Sequence, residues 1–268
     1  MSIRTKYRRA VDPQILRLEV VRRESISPHV IRVTLGGDAL AGFHPQGADQ
    51  WFRLFLPRPG QSSLTLPSVS SALWYPQVMV MSRATRPAVR NYTVRALRAG
   101  AGEMDIDFIS HGDAGEASAW ARATTAGNPA AVLDQGICYL PSGPGRQLLV
   151  GEESAMPALL GILASAPVDL RADVFIEVPD PSDAQPVTAP LGVTVNWLAR
   201  KDSGELPGTL ALRTALHAVT GIPAYTFVAG ENSLVTGLRR GLVARGAAKS
   251  SVAFIGYWRH GKVPPGMA

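Results

Sequence analysis

The spacing of apolar residues changes part-way along the chain, and this change limits the folds that the sequence can adopt. Over roughly the first 140 residues the apolar positions alternate with polar ones, as in Leu16, Leu18 and Val20. Alternation with period two is typical of β-strands that bury one face. Turn residues such as Gly36 and Gly37 separate several such strands. Several short strands at this spacing indicate an antiparallel barrel or sandwich, and we predict a six-stranded-type β-barrel over residues 1–141.

A Pro- and Gly-rich segment, PSGPGR, precedes a different pattern. Short apolar runs such as QLLVG and AYTFVAG alternate with segments whose apolar residues recur at helical spacing, as in Leu234, Leu238 and Leu242. Strands that alternate with helices predict an α/β domain with a mainly parallel sheet. We place this domain and a C-terminal tail at residues 142–268. Ligands of such sheets bind beyond the carboxyl ends of the strands.

The composition is that of a globular protein without built-in metal chemistry. The chain has 268 residues, of which 46% are hydrophobic and 18% are charged, and this suits one large or two medium domains. Cys138 is the only cysteine and the five histidines are scattered, so we expect no disulfide and no metal site. We recognise no secretion signal and no apolar run of membrane length, and we expect a cytoplasmic protein without integral membrane association.

The chain is basic, with a formal net charge of +6 and a sequence pI of about 9.8. Such a charge indicates either an ordinary arginine-rich, solvated surface or an affinity for phosphates, anionic ligands or an acidic partner protein. The basic residues form no long run and do not interleave regularly with aromatic residues. We therefore do not expect nucleic acid as a partner.

Residues 90–95 read RNYTVR, which is an unusually polar sequence for a strand. In an extended strand Arg90 and Tyr92 lie on one face, while Asn91 and Thr93 lie on the other. A planar guanidinium can bind a diphosphate, and a tyrosine can pack against an aromatic ring system. The segment therefore predicts that a large, flat, anionic molecule lies on this strand, and a flavin dinucleotide has these properties.

RNYTVR resembles the Arg-x-Tyr-Thr/Ser flavin signature of ferredoxin-reductase-like enzymes. The segments DIDFISHGDAGEASAWA, LLVGEESAMPALLGIL, FVAGEN and GYWRHGK follow it in the chain. In this order and spacing, over about residues 15–262, the sequence resembles the siderophore-interacting protein family of FAD-dependent ferric-siderophore reductases. It departs from that pattern in VLDQGICYLPSGPGR, where many relatives carry a Gly-Pro-Arg-Gly-like turn.

The resemblance implies a set of FAD-binding residues on and after the polar strand, namely Arg90, Tyr92, Thr93, Val94, Arg95 and His111. It also implies that the helix in GDAGEASAW directs its amino end towards the FAD diphosphate. Gly112 and Gly115 would let the backbone approach, and Ser118 would donate to a phosphate. Trp120 would pack against the flavin or the barrel wall. Simple core packing is the alternative for Trp120, as a purely structural role is for His111.

The electron donor that the resemblance implies is NADPH or NADH, bound transiently, although no GxGxxG motif follows the QLLV strand. Arg200 and Lys201 follow a strand and are placed to meet a 2′-phosphate, which favours NADPH; a solvated basic strand end is the alternative. Glu231 either lies near the nicotinamide or is an acid favoured by the helix dipole. The basic surface also suits an acidic ferredoxin as donor.

The acceptor that the resemblance implies is a ferric siderophore, from which reduction to Fe(II) releases the iron. Because many ferric siderophores are anionic, we expect basic residues to bind the substrate, with Arg53, Arg259 and Lys262 as candidates. An ordinary ion pair is the alternative for Arg53, and a place in a tail for Lys262. We expect a monomer in which the flavin, and no side chain, performs the electron transfer. The competing hypotheses are a flavin reductase with another acceptor and a non-catalytic FAD-binding or partner-docking protein.

Overall fold

The computed structural model describes residues 7–61, 63–110, 115–201 and 203–261. The chain forms two compact units, one built mainly from Arg9–Ile137 and the other mainly from Cys138–Val263. The division falls a few residues before the predicted domain boundary after residue 141. We refer to the two parts as the N-terminal unit and the C-terminal unit.

The N-terminal unit contains an eight-stranded sheet in which the described neighbours pair antiparallel. Its strands are β1 (Arg8–Arg9), β2 (Ile15–Ser27), β3 (Val30–Gly36), β4 (Trp51–Leu56), β5 (Ala88–Thr93), β6 (Ala96–Arg98), β7 (Glu103–Ile109) and β8 (Pro129–Ile137). Helix α1 (Trp74–Val80) precedes β5, and helix α2 (Glu116–Ala123) follows β7.

The strands pair in the order β5-β4-β8-β2-β3-β7-β6, and β1 pairs with β8 outside this path. The predicted antiparallel β-architecture is thereby confirmed. Within the described residues, however, no pairing joins β5 to β6 at the two ends of the path. The sheet has eight strands where we predicted a six-stranded-type barrel, and just after β5 the Arg95 N–H donates to the carbonyl oxygen of Asp105 in β7 at 2.9 Å.

The apolar core of the N-terminal unit follows the alternation of the strands. Phe52 and Leu54 of β4 lie in one buried cluster with Ile106 and Phe108 of β7. Phe55 belongs to a second cluster, which includes residues of α1. Because successive residues of a strand face opposite sides, β4 separates a core-facing side from an α1-facing side. Candidate site residues lie on both of these sides.

The C-terminal unit contains a five-stranded parallel sheet, as predicted. Its strands are β9 (Gln147–Gly151), β10 (Ala172–Val178), β11 (Val193–Ala199), β12 (Tyr225–Glu231) and β13 (Val252–Trp258), and its helices are α3 (Met156–Ala164), α4 (Thr209–Ala218) and α5 (Asn232–Ala244). The order β11-β10-β9-β12-β13 reverses direction between β9 and β12. This reversal is the switch point at which doubly wound sheets bind ligands.

The helices of the C-terminal unit bury the faces that the sequence predicts. Leu234, Leu238 and Leu242 of α5 are buried in one cluster with side chains of β9 and β12. A 3-10 turn, Glu153–Ala155, precedes α3, and Glu152 caps that turn by accepting a hydrogen bond from the Ser154 backbone.

Neither a membrane-spanning helix nor a metal-binding side-chain cluster occurs in the described ranges. None of the helices there combines the length and the hydropathy that a bilayer-spanning segment requires. The same ranges hold no cluster of three or more His, Cys, Asp or Glu side chains that could bind a metal ion.

Candidate functional site

Strand β5 carries the polar residues of RNYTVR and lies at one end of the strand order. Arg90 pairs with Leu54 of β4, and Tyr92 pairs with Phe52. Both partners belong to the apolar core, so Arg90 and Tyr92 lie on the core-facing side of the sheet. The residues between and after them face the α1 side. This alternation agrees with the prediction from the sequence.

An aromatic row lies next to this strand and consists of Tyr92, Phe108 and Trp120. The ring centroids of Tyr92 and Phe108 are 4.4 Å apart, and those of Phe108 and Trp120 are 5.8 Å apart. Phe108 is fully buried, whereas Tyr92 and Trp120 are half-buried at its two sides. Burial raises the pKa of the Tyr92 phenol, so it is neutral at physiological pH. Trp120 thus packs against Phe108 and the core cluster of the sheet, and its contact with the flavin stays a prediction.

A second feature, which we call the arginine clamp, consists of Arg58, Arg90 and Glu116. Arg58 Nη1 donates to Glu116 Oε1 at 2.6 Å, and Arg90 Nη2 donates to Glu116 Oε2 at 3.1 Å. Arg90 also donates to the carbonyl oxygen of Val89 at 2.8 Å. One carboxylate therefore holds two guanidinium groups, and the clamp keeps a net positive charge.

The amino end of α2 carries the clamp's carboxylate, because Glu116 is the first residue of this helix. Gly115 is its N-cap, with a φ of 98° that favours glycine, and it offers no side chain to the free N–H groups. Ser118 Oγ donates to the carbonyl oxygen of Ile109 at 2.9 Å, which ties α2 to β7. Its single hydroxyl hydrogen is thereby used, so donation to a phosphate requires this bond to break. His111 and Gly112 lie outside the described residues.

These groups suit the chemistry of FAD. The Nε atom of Arg58 is buried and has no hydrogen-bond partner in the described part of the chain. This N–H therefore lacks the acceptor that a buried donor normally has. Two guanidiniums and the positive end of a helix dipole favour a diphosphate. The half-buried rings of Tyr92 and Trp120 offer apolar aromatic surface of the kind on which a flavin ring packs.

The remaining predicted residues of this segment belong to the framework around β5. Thr93 is buried, and the Val94 N–H donates to the carbonyl oxygen of Gln50 at 2.9 Å. Arg95 Nε lies 3.5 Å from Asp107 Oδ2, and burial lowers the pKa of Arg95. These contacts support the strand from which Arg90 and Tyr92 project.

Arg53, a predicted substrate residue, lies on the other side of the sheet from Arg90 and Tyr92. Its guanidinium carbon is 5.1 Å from the ring centroid of Trp51 and 5.6 Å from that of Trp74, and Arg53 also donates to Asn91. Stacking on two indoles explains how an apolar strand accommodates this charge. The structure does not bring Arg53 together with Arg90 on one face.

In the C-terminal unit, carboxylates occupy the switch point of the parallel sheet. Glu152 directly follows β9, and its Oε1 accepts a hydrogen bond from Trp258 Nε1 at 3.0 Å. Its other oxygen accepts from the Ser154 N–H at 2.8 Å. A side chain at Gly230 would place its Cβ 2.5 Å from Glu152 Oε1, so only glycine fits there. Burial, and then the charge of Glu153, raises the pKa of Glu152 to about 8.

Arg200 lies at the same edge of the sheet and is engaged by two buried carboxylates. It donates twice to Glu153 and once to Glu177, each time at 2.7 Å, and its side chain is 9% exposed. Burial alone would lower the pKa of Arg200, but the hydrogen bonds and negative charges of Glu153 and Glu177 together raise it. A 2′-phosphate at Arg200 would have to compete with both carboxylates. Lys201 is exposed, with a left-handed φ of 48°.

Glu231 and the end of β13 complete this edge. Glu231 is buried and caps α5 by accepting a hydrogen bond from the Ser233 backbone. It also accepts from the His260 N–H at 3.2 Å, so its carboxylate holds the chain beyond β13. Arg259 is exposed directly after that strand, and Lys262 lies outside the described residues. Glu231 is therefore the N-cap residue of α5, one position before the first turn in which we expected an acid favoured by the helix dipole.

Comparison with known families now bears on both units. Residues 19–137 match the family model of the siderophore-interacting FAD-binding domain, and residues 144–261 match that of the siderophore-interacting protein. The chain belongs to the siderophore-interacting protein family. The family that we predicted from RNYTVR and the segments after it is therefore confirmed.

Several relatives and solved structures are similar to this chain over nearly their full length. The solved structure of a siderophore utilization protein from T. fusca matches with a TM-score of 0.81 and 30% identity, over 95% of this chain and 96% of that one. The NADPH-dependent ferric-chelate reductase of Escherichia coli is 31% identical, over 92% of this chain and 94% of the relative. The ferric vibriobactin reductase ViuB of Vibrio cholerae is 29% identical, over 91% and 89%.

Three residues of the candidate site in the FAD-binding domain of this family member were not predicted from the sequence. Arg58 follows β4 in a Pro-Arg-Pro-Gly turn, and Glu116 directly follows the N-cap glycine of α2. Phe108 reads as an ordinary core residue. An acid in the first turn of a helix that is predicted to face a diphosphate is the one sequence feature that could have drawn attention to the clamp.

Proposed function

We propose that this siderophore-interacting protein is an oxidoreductase that reduces ferric siderophores with electrons from NADPH, passed through FAD. The observation that carries the proposal is the arginine clamp beside the aromatic row, within a domain that matches an FAD-binding family. Two relatives of similar length are named as reductases of ferric chelates, and this supports the choice of acceptor.

FAD, when bound, accepts two electrons together and returns them one at a time, which matches a hydride donor to a one-electron acceptor. NADPH loses a hydride and becomes NADP+, and two ferric chelates each gain one electron. One NADPH therefore yields two Fe(II) and one proton. Siderophores offer hard oxygen ligands that prefer Fe(III), so reduction weakens the complex and releases the iron.

The residues of this chain bind and orient, and we assign them no acid–base step. Arg90 holds the FAD diphosphate, and Tyr92 and Trp120 hold the flavin ring, with Thr93 at the strand end. Val94 and Arg95 support this strand. His111, Gly112 and Gly115 belong to the segment that leads into α2, and we propose that it lies beside the cofactor.

For the donor, Lys201 is our preferred contact for the 2′-phosphate of NADPH, because Arg200 already binds two carboxylates. NADH and ferredoxin are the alternative donors. For the acceptor, we keep Arg53, Arg259 and Lys262 as the candidate residues for an anionic chelate. The cytoplasmic location and the monomeric state stay predictions.

Anaerobic titration of the FAD-loaded protein with NADPH and with NADH, in parallel, tests this function. We expect NADPH to bleach the visible absorbance of the flavin at lower concentration than NADH. Subsequent addition of a ferric siderophore should restore the absorbance faster than a quinone or free flavin does. Faster reoxidation by the quinone would instead identify a reductase with another acceptor. A protein that binds no flavin would refute the proposal.

A further inference from the structure

The clamp contains an arginine that lies outside the RNYTVR segment, and its loop is held in place. The Arg58 N–H donates to Gln61 Oε1 at 2.9 Å. Gln61 Nε2 donates in turn to the carbonyl oxygens of Ala84 and Arg86, at 2.9 and 3.1 Å. The turn that carries Arg58 is therefore fixed to a neighbouring segment, so its guanidinium is positioned before any ligand arrives.

The clamp is also within reach of a ligand. The side chains of Arg58, Arg90 and Glu116 are 21%, 25% and 31% exposed. Two positive guanidiniums share one negative carboxylate, and Arg58 Nε, itself buried, has no hydrogen-bond partner among the described residues. The group that best completes this arrangement carries two negative charges and several acceptor oxygens, and a diphosphate fulfils both conditions.

We propose that Arg58 is a second diphosphate-binding arginine of the FAD site and that Glu116 is an internal competitor for that diphosphate. The inference rests on the proposed FAD site. The Glu116 carboxylate occupies donors of both arginines, so the diphosphate of FAD must displace it. Once displaced, the carboxylate stays near two phosphates of the same sign, and this repulsion lowers the affinity for FAD.

Both parts of the inference predict changes in flavin affinity that depend on the phosphates. Loss of Arg58 removes charge-assisted hydrogen bonds to the diphosphate and weakens FAD binding. Neutralisation of Glu116 removes the competitor and strengthens FAD binding. Riboflavin has the same ring system but no phosphate, so neither change should affect it.

The experiment measures the Kd of the flavin-free protein for FAD and for riboflavin by quenching of flavin fluorescence. We expect Arg58→Ala to raise the Kd for FAD by about tenfold or more, and Arg58→Lys to raise it less. We expect Glu116→Gln to lower the Kd for FAD several-fold, with the Kd for riboflavin within about twofold of wild type in every variant. Arg213→Ala and Glu205→Gln, which remove an exposed Arg–Glu pair of the other unit, are the matched controls.

Three results would overturn the inference. An unchanged Kd for FAD in Arg58→Ala excludes Arg58 from the diphosphate site. An equal loss of FAD and riboflavin affinity, accompanied by a lower melting temperature of the flavin-free variant, assigns Arg58 a purely structural role. A weaker binding of FAD by Glu116→Gln shows that Glu116 positions the arginines and does not compete. Wild-type protein that binds neither flavin would refute the proposed function itself, which distinguishes that failure from these.

Discussion

The indole Nε1 of Trp258 donates a hydrogen bond to Oε1 of Glu152 at 3.0 Å, at the carboxyl ends of β13 and β9. Glu152 is fully buried at the switch point of the parallel sheet, next to Glu153. Burial and the neighbouring charge raise its pKa to about 8, so the carboxyl group is protonated at neutral pH. Where a dinucleotide-binding sheet is expected to bind phosphate, this sheet therefore carries a neutral acid.

The raised pKa of Glu152 predicts how stability depends on pH. An unfolded chain releases this proton near pH 4.5, whereas the folded chain keeps it until about pH 8. Between these values the folded state binds the extra proton, so stability falls as pH rises, by at most about 1.4 kcal/mol per pH unit, and levels off above pH 8. Denaturant unfolding between pH 5 and 9 measures this slope. Glu152→Gln should flatten it, and a wild-type slope of opposite sign would contradict the assignment.

Arg200 should contribute more to stability than to cofactor binding. Arg200→Ala leaves Glu153 and Glu177 buried without their partner, and loss of one member of such a buried pair typically costs roughly 3–5 kcal/mol. Urea unfolding should show this loss, while Arg213→Ala, which removes the exposed pair with Glu205, should change stability little. If Arg200→Ala keeps its stability but loses affinity for NADPH, the guanidinium serves the 2′-phosphate after all.

Arg90 should decide whether the protein retains FAD. It is the arginine of the clamp that projects from β5, so Arg90→Ala should raise the Kd for FAD by about tenfold or more, with a smaller effect on riboflavin. The measurement is the flavin content of the purified variant together with its Kd. Arg22→Ala, an exposed arginine of the same sheet, serves as the control. A flavin content equal to wild type would remove Arg90 from the site.

We expect Arg53 to contribute to binding of the ferric siderophore and not to binding of FAD. It lies on the opposite side of β4 and β5 from Arg90, over Trp51 and Trp74. We expect Arg53→Ala to raise the KM for an anionic ferric siderophore several-fold and to leave the Kd for FAD unchanged, and Arg53→Lys to recover much of the loss because it keeps the charge. An unchanged KM would leave Arg53 only a packing role between the two indoles.

The spacing of apolar residues correctly predicted the helices and strands that bury one face and expose the other. The inward residues of α5 and the alternating strands of the N-terminal unit follow directly from apolar spacing. Helix α1 (Trp74–Val80) was missed because it is short, contains Pro76 and presents only Trp74 and Val78 as buried residues. Because this segment is short and lies between stretches rich in Pro and Ser, its apolar residues show no helical periodicity.

The arginine clamp was not predicted because its residues lie far apart in the sequence. Arg58 follows β4 and Glu116 begins the helix after β7, and these strands are not neighbours in the pairing order, so only the tertiary fold brings the two side chains together. The ion-pair partners of Arg200 could not be predicted from the sequence either. Its place after β11 is visible in the sequence, but the carboxylates that bind it come from β10 and from the turn after β9. Motif reading identifies residue types at strand ends, while their partners depend on tertiary structure.

The most direct test of the account is the number of Fe(II) ions formed for each NADPH consumed. FAD-loaded protein, a ferric siderophore and a ferrous chelator are mixed without oxygen, and NADPH oxidation and the ferrous complex are followed together. We predict two Fe(II) per NADPH. The rate of Fe(II) formation should be lost in Arg90→Ala and restored in part by excess FAD. NADPH oxidation without Fe(II), or reduction at the same rate without FAD, would contradict the claim that this chain transfers electrons through FAD to siderophore iron.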